Sequence, residues 1–204
     1  MIDLYTAATG NGRRASVMLE ECGVSYTVHK LDLTKGEQKT PAYLKINPAG
    51  AIPAIVDKDG PGGQTVTLAQ SGAIALYLCE KTGKFLPKDA AKRAVAMQWF
   101  LHVMSDQAPS SAALFRLGSL PEKPAAAIAS FETRLGDMFR FVNTRLGEAD
   151  YLAGELTVAD FALYPVVASR KAIVESIGGL DNLKRWSAAL AARPGVAKGM
   201  AVPA

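Results

Sequence analysis

The chain has 204 residues, and 49% of them are hydrophobic, which is enough apolar material for one large domain or two small ones. Its net charge of +4 comes from Lys and Arg residues interspersed with Asp and Glu, a pattern that indicates mild attraction to anionic ligands and argues against nucleic-acid binding. The apolar runs fall short of the ~20 residues that a membrane helix needs, and no signal-like segment opens the chain. We therefore expect an ordered globular protein with no membrane partner.

The two cysteines, Cys22 and Cys79, lie far apart in the sequence, each within a helical pattern. They form neither a Cys-x-x-Cys redox pair nor a metal-binding cluster, so we expect no metal cofactor. A reduced, cytoplasmic compartment is the simplest expectation for such a chain.

The first part of the chain alternates short strands with helices. Apolar periodicity and turn residues predict, in chain order, a strand over 2–6, a helix over 12–22, a strand over 26–33, a helical turn after 41, strands over 54–56 and 65–68, and a helix from 71. The first two strands, joined by a helix, form a right-handed βαβ unit. The order βαβαββα predicts a thioredoxin-like domain over residues 1–83.

The rest of the chain shows helical periodicity throughout. We predict a linker over residues 84–91 and an all-helical domain over 92–204, so that the fold class is α/β followed by all-α. Helical spacing covers residues 90–117, where Pro109 is expected to kink or divide the helix.

Further along, Pro124 suits the first turn of a second long helix and Gly147 its end. Thr157 and Asp160 have the spacing of a capping box, to which we assign a structural role. A final helix over residues 180–190 is expected to precede a frayed tail.

One segment of the first domain predicts a ligand site. Proline cannot donate to a sheet ladder, so Pro53, inside the apolar run 52–56, marks an edge, a bulge or a cis turn. The backbone groups of Ile52 can then pair with an extended ligand. Ser71 lies at a helix N-terminus, where unpaired N–H groups and the helix dipole favour a carboxylate. Together these features predict a ledge for a small, anionic, peptide-like ligand.

Three motifs in this order resemble the cytosolic glutathione transferase family: Asn47-Pro-Ala-Gly-Ala-Ile-Pro-Ala-Ile-Val, Gln70-Ser-Gly-Ala-Ile and Thr157-Val-Ala-Asp. The resemblance covers essentially the whole chain. The opening residues 1–12 are most similar to bacterial nu-class members, whose activity includes glutathione-dependent disulfide reduction. The resemblance implies a detoxification enzyme that takes glutathione as its co-substrate and acts as a homodimer.

The family holds the glutathione sulfur with a side chain just after the first strand, where a donor and the helix dipole lower the thiol pKa. The candidates in this chain are Thr9, Asn11 and Ser16. Thr9 and Asn11 match the nu-class pattern and lie between strand and helix, so we assign them the catalytic role. A plain N-cap role is the alternative for Asn11.

The resemblance also implies how the rest of glutathione is held. Gln70 and Ser71 would hold the γ-glutamyl carboxylate, Ile52 and Pro53 would pair with the cysteine backbone, and Gln38 would reach the glycine end. A solvated amide is the alternative for Gln38. Position 70 departs from the nu-class pattern, which more often has Glu there.

The start of the first helix has two further features. Arg13 and Arg14 oppose the helix dipole, a local cost that makes sense if an anion binds nearby. Ala8 and Gly10 stand where the nu-class pattern favours prolines, so the loop is expected to be more flexible.

The acceptor substrate, a hydrophobic electrophile or a disulfide, is expected between the domains, near the kinked helix. Its candidate contacts are Phe100, Met104, Ser111 and Phe115, for which core packing is an equal alternative.

Two other functions compete with this one. Residues 10–15 form a Gly-x-Gly-x-x-Ala pattern and Asp32 follows about twenty residues later, which is the layout of a dinucleotide-binding reductase. A hairpin instead of further crossovers argues against that interpretation. The second is a non-catalytic interaction protein that keeps the transferase scaffold.

Overall fold

The computed structural model describes all 204 residues, which form two compact units. The first unit contains Met1–Leu86 together with Ala192–Ala204, and the second contains Pro87–Ala191. The sequence patterns place the whole of 92–204 in the helical domain, whereas the structure joins the last segment of that range to the first unit. None of the helices is both long enough and apolar enough to span a membrane.

The first unit has a thioredoxin-like fold, as predicted. Its elements are β1 (Ile2–Thr6), α1 (Gly10–Cys22), β2 (Tyr26–Lys30), α2 (Pro41–Leu44), β3 (Ala54–Asp57), β4 (Val66–Ala69) and α3 (Ser71–Thr82). The sheet order is β2-β1-β3-β4, with β1 and β2 parallel and the other two pairs antiparallel. The predicted second strand was too long, because the Asp32 carboxylate accepts hydrogen bonds from the backbone amides of Thr34 and Lys35 and so closes a turn.

Alternation along β1 separates a buried face from a partly exposed one. Ile2 and Leu4 are almost fully buried, which is the side-chain period of two expected of a strand. Tyr5 lies on the opposite face, where its ring stacks on His29 with centroids 4.5 Å apart.

The C-terminal segment forms a helix, α10 (Pro194–Met200), where we had predicted a frayed tail. It packs on α1 because Gly199 lacks a side chain: a Cβ there would lie 2.4 Å from the Val17 Cα. The Ser16 hydroxyl donates to the Gly199 carbonyl at 2.6 Å, and Arg193 forms two hydrogen bonds to Glu21, at 3.0 and 2.7 Å. These contacts explain why the segment belongs to the first unit.

The second unit is all-helical, as predicted. Its helices are α4 (Ala90–His102), α5 (Ala108–Gly118), α6 (Ala125–Glu148), α7 (Val158–Ser169), α8 (Lys171–Ile177) and α9 (Asp181–Ala191). A π-helical turn over Val103–Gln107 joins α4 to α5, and Pro109 lies in the first turn of α5. The predicted division of the long helix therefore falls just before the proline, where the wider turn tolerates a missing N–H donor.

The capping box at the start of α7 is the polar centre of the second unit. Asp160 is fully buried and accepts hydrogen bonds from the backbone amides of Leu152 and Thr157, at 3.1 and 3.0 Å, and from the Trp186 indole at 2.9 Å. Burial raises the pKa of its carboxyl, and these hydrogen bonds oppose the rise. The carboxylate thus ties the preceding loop and α9 to the start of α7, which is the structural role predicted for it.

Replacing Asp160 by Ala should lower the free energy of unfolding by at least about 3 kcal/mol, because it leaves several buried donors without an acceptor, at about 1–3 kcal/mol each. Urea denaturation followed by circular dichroism measures the loss. Asp150→Ala is the matched control: that carboxylate is 80% exposed and pairs with Arg185 at 2.6 Å, so its removal should cost less than about 1 kcal/mol. Equal losses in the two variants would contradict the structural role.

Candidate functional site

The start of α1 is fixed by Thr9, which is its N-cap residue. Thr9 has an extended backbone, and its Oγ1 accepts a hydrogen bond from the Gly12 amide at 3.1 Å. Since the oxygen is the acceptor in this contact, the hydroxyl proton can be donated to a ligand. The helix begins earlier than predicted, so that Asn11 lies inside its first turn and not in the loop before it.

Gly12 allows α1 to begin directly against the end of β1. A Cβ at this position would lie 2.2 Å from the Ala7 carbonyl oxygen and 2.5 Å from the Thr6 hydroxyl. The Gly-x-Gly pattern is therefore explained by close packing of helix on strand. The dinucleotide-binding alternative also requires a parallel sheet, whereas β3 runs antiparallel to β1.

A buried arginine connects α1 to α3. The Arg14 Nη1 atom donates to the Asn11 Oδ1 at 2.7 Å and to the Ser71 Oγ at 2.8 Å. Arg14 has no exposed surface, and burial lowers the pKa of its guanidinium to about 10, so the group is still a cation at neutral pH. The sequence analysis indicated an anion near Arg13 and Arg14, but it did not predict the hydrogen bond from Arg14 to Ser71.

Ser71 and Gln70 form the start of α3. Ser71 is the first helical residue and is 4% exposed. Gln70, before it, has a φ of 72°, a backbone conformation that residues other than glycine rarely adopt and that costs about 1–3 kcal/mol. Its exposed side chain makes no capping hydrogen bond and so can meet a ligand. The amino-acid sequence contains no signal for this strained backbone.

Ile52 and Pro53, where a ledge was predicted, lie just before β3, which is an interior strand of the sheet. The Ile52–Pro53 peptide bond is cis, and the ladder of β3 begins only at Ala54. In the antiparallel registers, Ala54 pairs with Tyr5 on one side and with Ala69 on the other. The end of β1 and the end of β4 therefore lie beside the start of β3, which brings the starts of α1 and α3 to the same end of the sheet.

The turn before Ile52 is held by two side chains. The Tyr43 hydroxyl and the Asn47 side-chain amide both donate to the Ala51 carbonyl, each at 2.6 Å. This carbonyl is therefore occupied, and the next residue, Ile52, precedes the β3 ladder.

Gln38 lies in a short 3₁₀ turn, Glu37–Lys39, next to this segment. The Lys39 ammonium donates to the Ala49 carbonyl at 3.2 Å, which ties the turn to the loop before Ile52. The Gln38 Oε1 is buried and makes no hydrogen bond. A buried amide oxygen without a donor is unusual, and a bound ligand would be one source of the missing donor.

The four acceptor candidates lie in the second unit and differ widely in exposure. Phe100 is 2% exposed and belongs to the core, and Ser111 is 9% exposed and accepts a hydrogen bond from the Arg170 Nε at 2.9 Å. Phe115 is 62% exposed, and Met104 is half-buried in the π-helical turn. Packing thus accounts for Phe100 and Ser111, and only Met104 and Phe115 offer surface to a substrate.

Comparison with known proteins identifies the family. The family model of the glutathione S-transferase N-terminal domain matches residues 11–81, and that of the C-terminal domain matches residues 93–194. The chain belongs to the glutathione S-transferase family. Among its curated relatives within the family, it is 34% identical to the disulfide-bond oxidoreductase YfcG of Escherichia coli, over 95% of this chain and 92% of that protein.

Solved glutathione transferases have the same fold. One from Burkholderia graminis, with two glutathione molecules bound per subunit, is 32% identical and has a TM-score of 0.91, over 99% of this chain and 88% of that one. Another, from Pseudomonas putida, with one glutathione disulfide bound per subunit, is 28% identical and has a TM-score of 0.89, over 100% and 92% of the two chains.

Replacing Gly12 by Ala should lower the free energy of unfolding by about 1–3 kcal/mol, because the added methyl group collides with the backbone of Ala7. It should also weaken glutathione binding, since the start of α1 must move. Gly118→Ala is the control: no atom lies within 4 Å of its Cβ position, so that variant should be neutral or slightly stabilised. Urea denaturation and calorimetric titration with glutathione measure both effects, and a Gly12→Ala protein that matches Gly118→Ala would refute the close approach.

Proposed function

We propose that this transferase binds glutathione on the first unit, stabilises its thiolate with Thr9 and Asn11, and directs that thiolate at disulfides. The observation that carries the proposal is the arrangement at the start of α1, where the Thr9 and Asn11 oxygens are both occupied as acceptors, by the Gly12 amide and the Arg14 guanidinium. Both side chains therefore have protons to donate to sulfur.

These donors act together with the positive end of a helix. A free cysteine thiol has a pKa of about 8.5, and hydrogen-bond donors, a helix N-terminus and a nearby cation each favour its thiolate form. Thr9 caps α1, and Arg14 supplies the cation within hydrogen-bonding distance of Asn11. A sulfur held here would therefore be largely ionised at neutral pH.

The remaining groups of the site match the other parts of the tripeptide. The γ-glutamyl carboxylate fits the N-terminus of α3, where Ser71 is the first helical residue and Gln70 is the N-cap residue. The backbone of Ile52 pairs with the cysteine of glutathione, beside Pro53, and Gln38 binds the glycine end.

Disulfide reduction is supported by the relatives and by the absence of a protein thiol at the start of α1. A bound thiolate attacks one sulfur of a disulfide, which releases one thiolate and leaves a mixed disulfide. A second glutathione thiolate attacks that mixed disulfide, releasing the other thiol and oxidised glutathione. Cys22 and Cys79 are buried, so glutathione itself is the nucleophile. The Escherichia coli relative is named a disulfide-bond oxidoreductase, and the Pseudomonas putida structure contains glutathione disulfide.

We also propose that the protein is a cytoplasmic homodimer. Leu101 and Phe141 in the second unit are large apolar residues, each 54% exposed, and Phe141 stacks on Trp99 with centroids 5.4 Å apart. A second copy covering this surface would bury them. Cys22 and Cys79 form no disulfide, which is consistent with a reducing compartment.

Thr9→Ala and Asn11→Ala should each lower kcat/KM for hydroxyethyl disulfide with glutathione by about 10- to 100-fold, since each removes one donor to the reacting sulfur. The same preparations are assayed with a chloronitrobenzene acceptor, and the wild type should prefer the disulfide. Thr144→Ala, an exposed threonine in α6, is the matched control and should behave as the wild type. A wild type that is inactive with both acceptors would support a non-catalytic interaction protein instead. Unchanged rates in both site variants would overturn the assignment of the sulfur donors.

A further inference from the structure

We propose that Arg14 is the positioning residue of the glutathione site: by donating to both Asn11 and Ser71, one buried guanidinium turns both side chains into hydrogen-bond donors toward the anionic ends of the ligand. The proposal rests on the proposed glutathione binding and goes beyond it. It assigns the orientation of the two ligand-facing groups to a residue that itself has no exposed surface.

At Asn11, the contact settles which atom of the amide faces outward. A guanidinium can only donate, so the Asn11 atom 2.7 Å from Arg14 Nη1 must be the oxygen. The amide nitrogen, bonded to the same carbon, is therefore turned away from Arg14. Asn11 is exposed, so this nitrogen presents its protons to the ligand side. Without Arg14 the amide could rotate and present its oxygen, which would repel a thiolate.

The same reasoning applies at Ser71. Its hydroxyl oxygen accepts from Arg14 Nη1 at 2.8 Å, which leaves the hydroxyl proton to be donated elsewhere. Ser71 is also the first residue of α3, where backbone N–H groups have no partner in the helix. The hydroxyl and these amides together form a donor cluster for a carboxylate.

Arg14 also contributes its charge. A cation in a low-dielectric environment acts over a longer distance than one in water, and this guanidinium lies one hydrogen bond behind each of the two donors. The same group therefore favours the thiolate on one side and the carboxylate on the other. Its position also explains the arginine at the start of α1, where the helix dipole alone would disfavour a positive charge.

The test compares Arg14→Met, which keeps much of the side-chain volume but removes the charge and donors, with Arg14→Lys, which restores a cation. Three quantities are measured for each variant: the unfolding temperature, the affinity for glutathione by calorimetry, and the pKa of the bound thiol from its ultraviolet thiolate absorbance. Arg140→Met is the control, because Arg140 is an exposed residue of α6 that pairs with Asp137.

Arg14→Met should weaken glutathione binding by about tenfold or more and move the pKa of the bound thiol toward the ~8.5 of a free thiol. Arg14→Lys should recover part of both losses, and Arg140→Met should change neither. A merely structural arginine would alter the unfolding temperature but leave the pKa of the bound thiol unchanged. That result, in a protein whose wild type binds glutathione with a lowered thiol pKa, would overturn the role of Arg14 alone. A wild type that does not bind glutathione would overturn the proposed function as well.

Asn11→Asp provides a second test that does not disturb Arg14. The carboxylate can still accept from the guanidinium, so the variant should unfold at or above the temperature of the wild type. It presents an oxygen where Asn11 presents protons, so it should lose affinity for the glutathione thiolate by about tenfold or more and keep its affinity for S-methylglutathione. If Arg14→Met does not fold, the affinities of Asn11→Asp for the two ligands still test the donor orientation at Asn11. Wild-type thiolate binding by Asn11→Asp would contradict the donor orientation.

Discussion

The site depends on one buried ion, the guanidinium of Arg14. A charge without exposed surface is costly unless it makes hydrogen bonds, and here Asn11 of α1 and Ser71 of α3 both accept from one guanidinium nitrogen, Nη1. This requirement holds the N-terminal turns of two helices together, although 57 residues separate Arg14 from Ser71 in the sequence. The close approach of α1 to β1 at Gly12 makes the contact possible.

As a consequence, the site contains the positive ends of two helix dipoles, those of α1 and α3. Each helix directs unpaired amides and the positive end of its dipole at the end of the sheet where Pro53 precedes the β3 ladder. A ligand that is anionic at its sulfur and at its γ-glutamyl carboxylate, with a peptide backbone between them, matches this arrangement. Packing of α10 on α1 through Gly199 supports the first helix from its other side.

Much of this was predictable from sequence, because the deciding signals are local. The order of strands and helices, the helix start at Ser71, the interruption at Pro53 and the capping box at Asp160 follow from periodicity and turn chemistry. The contacts that depend on tertiary structure were not predictable. Asn11 and Arg14 are three residues apart in a helix, so their contact could have been anticipated, but the Ser71 partner could not.

Two other differences between the sequence-based predictions and the structure also arise from tertiary structure. The C-terminal segment looked frayed because its sequence is short and rich in small residues, yet it is these small residues that let α10 lie against α1. The positive φ of Gln70 is imposed by the junction of β4 and α3 and has no counterpart in residue type, since glutamine does not favour it.

The central claim is tested most directly by a crystal structure of this chain with glutathione. We expect the glutathione sulfur within about 3.5 Å of the Thr9 hydroxyl and the Asn11 amide nitrogen, with the γ-glutamyl carboxylate on Ser71 and the Arg14 contacts intact. Glutathione bound elsewhere on the chain, or an Asn11 oxygen facing the sulfur with Arg14 displaced, would contradict the account.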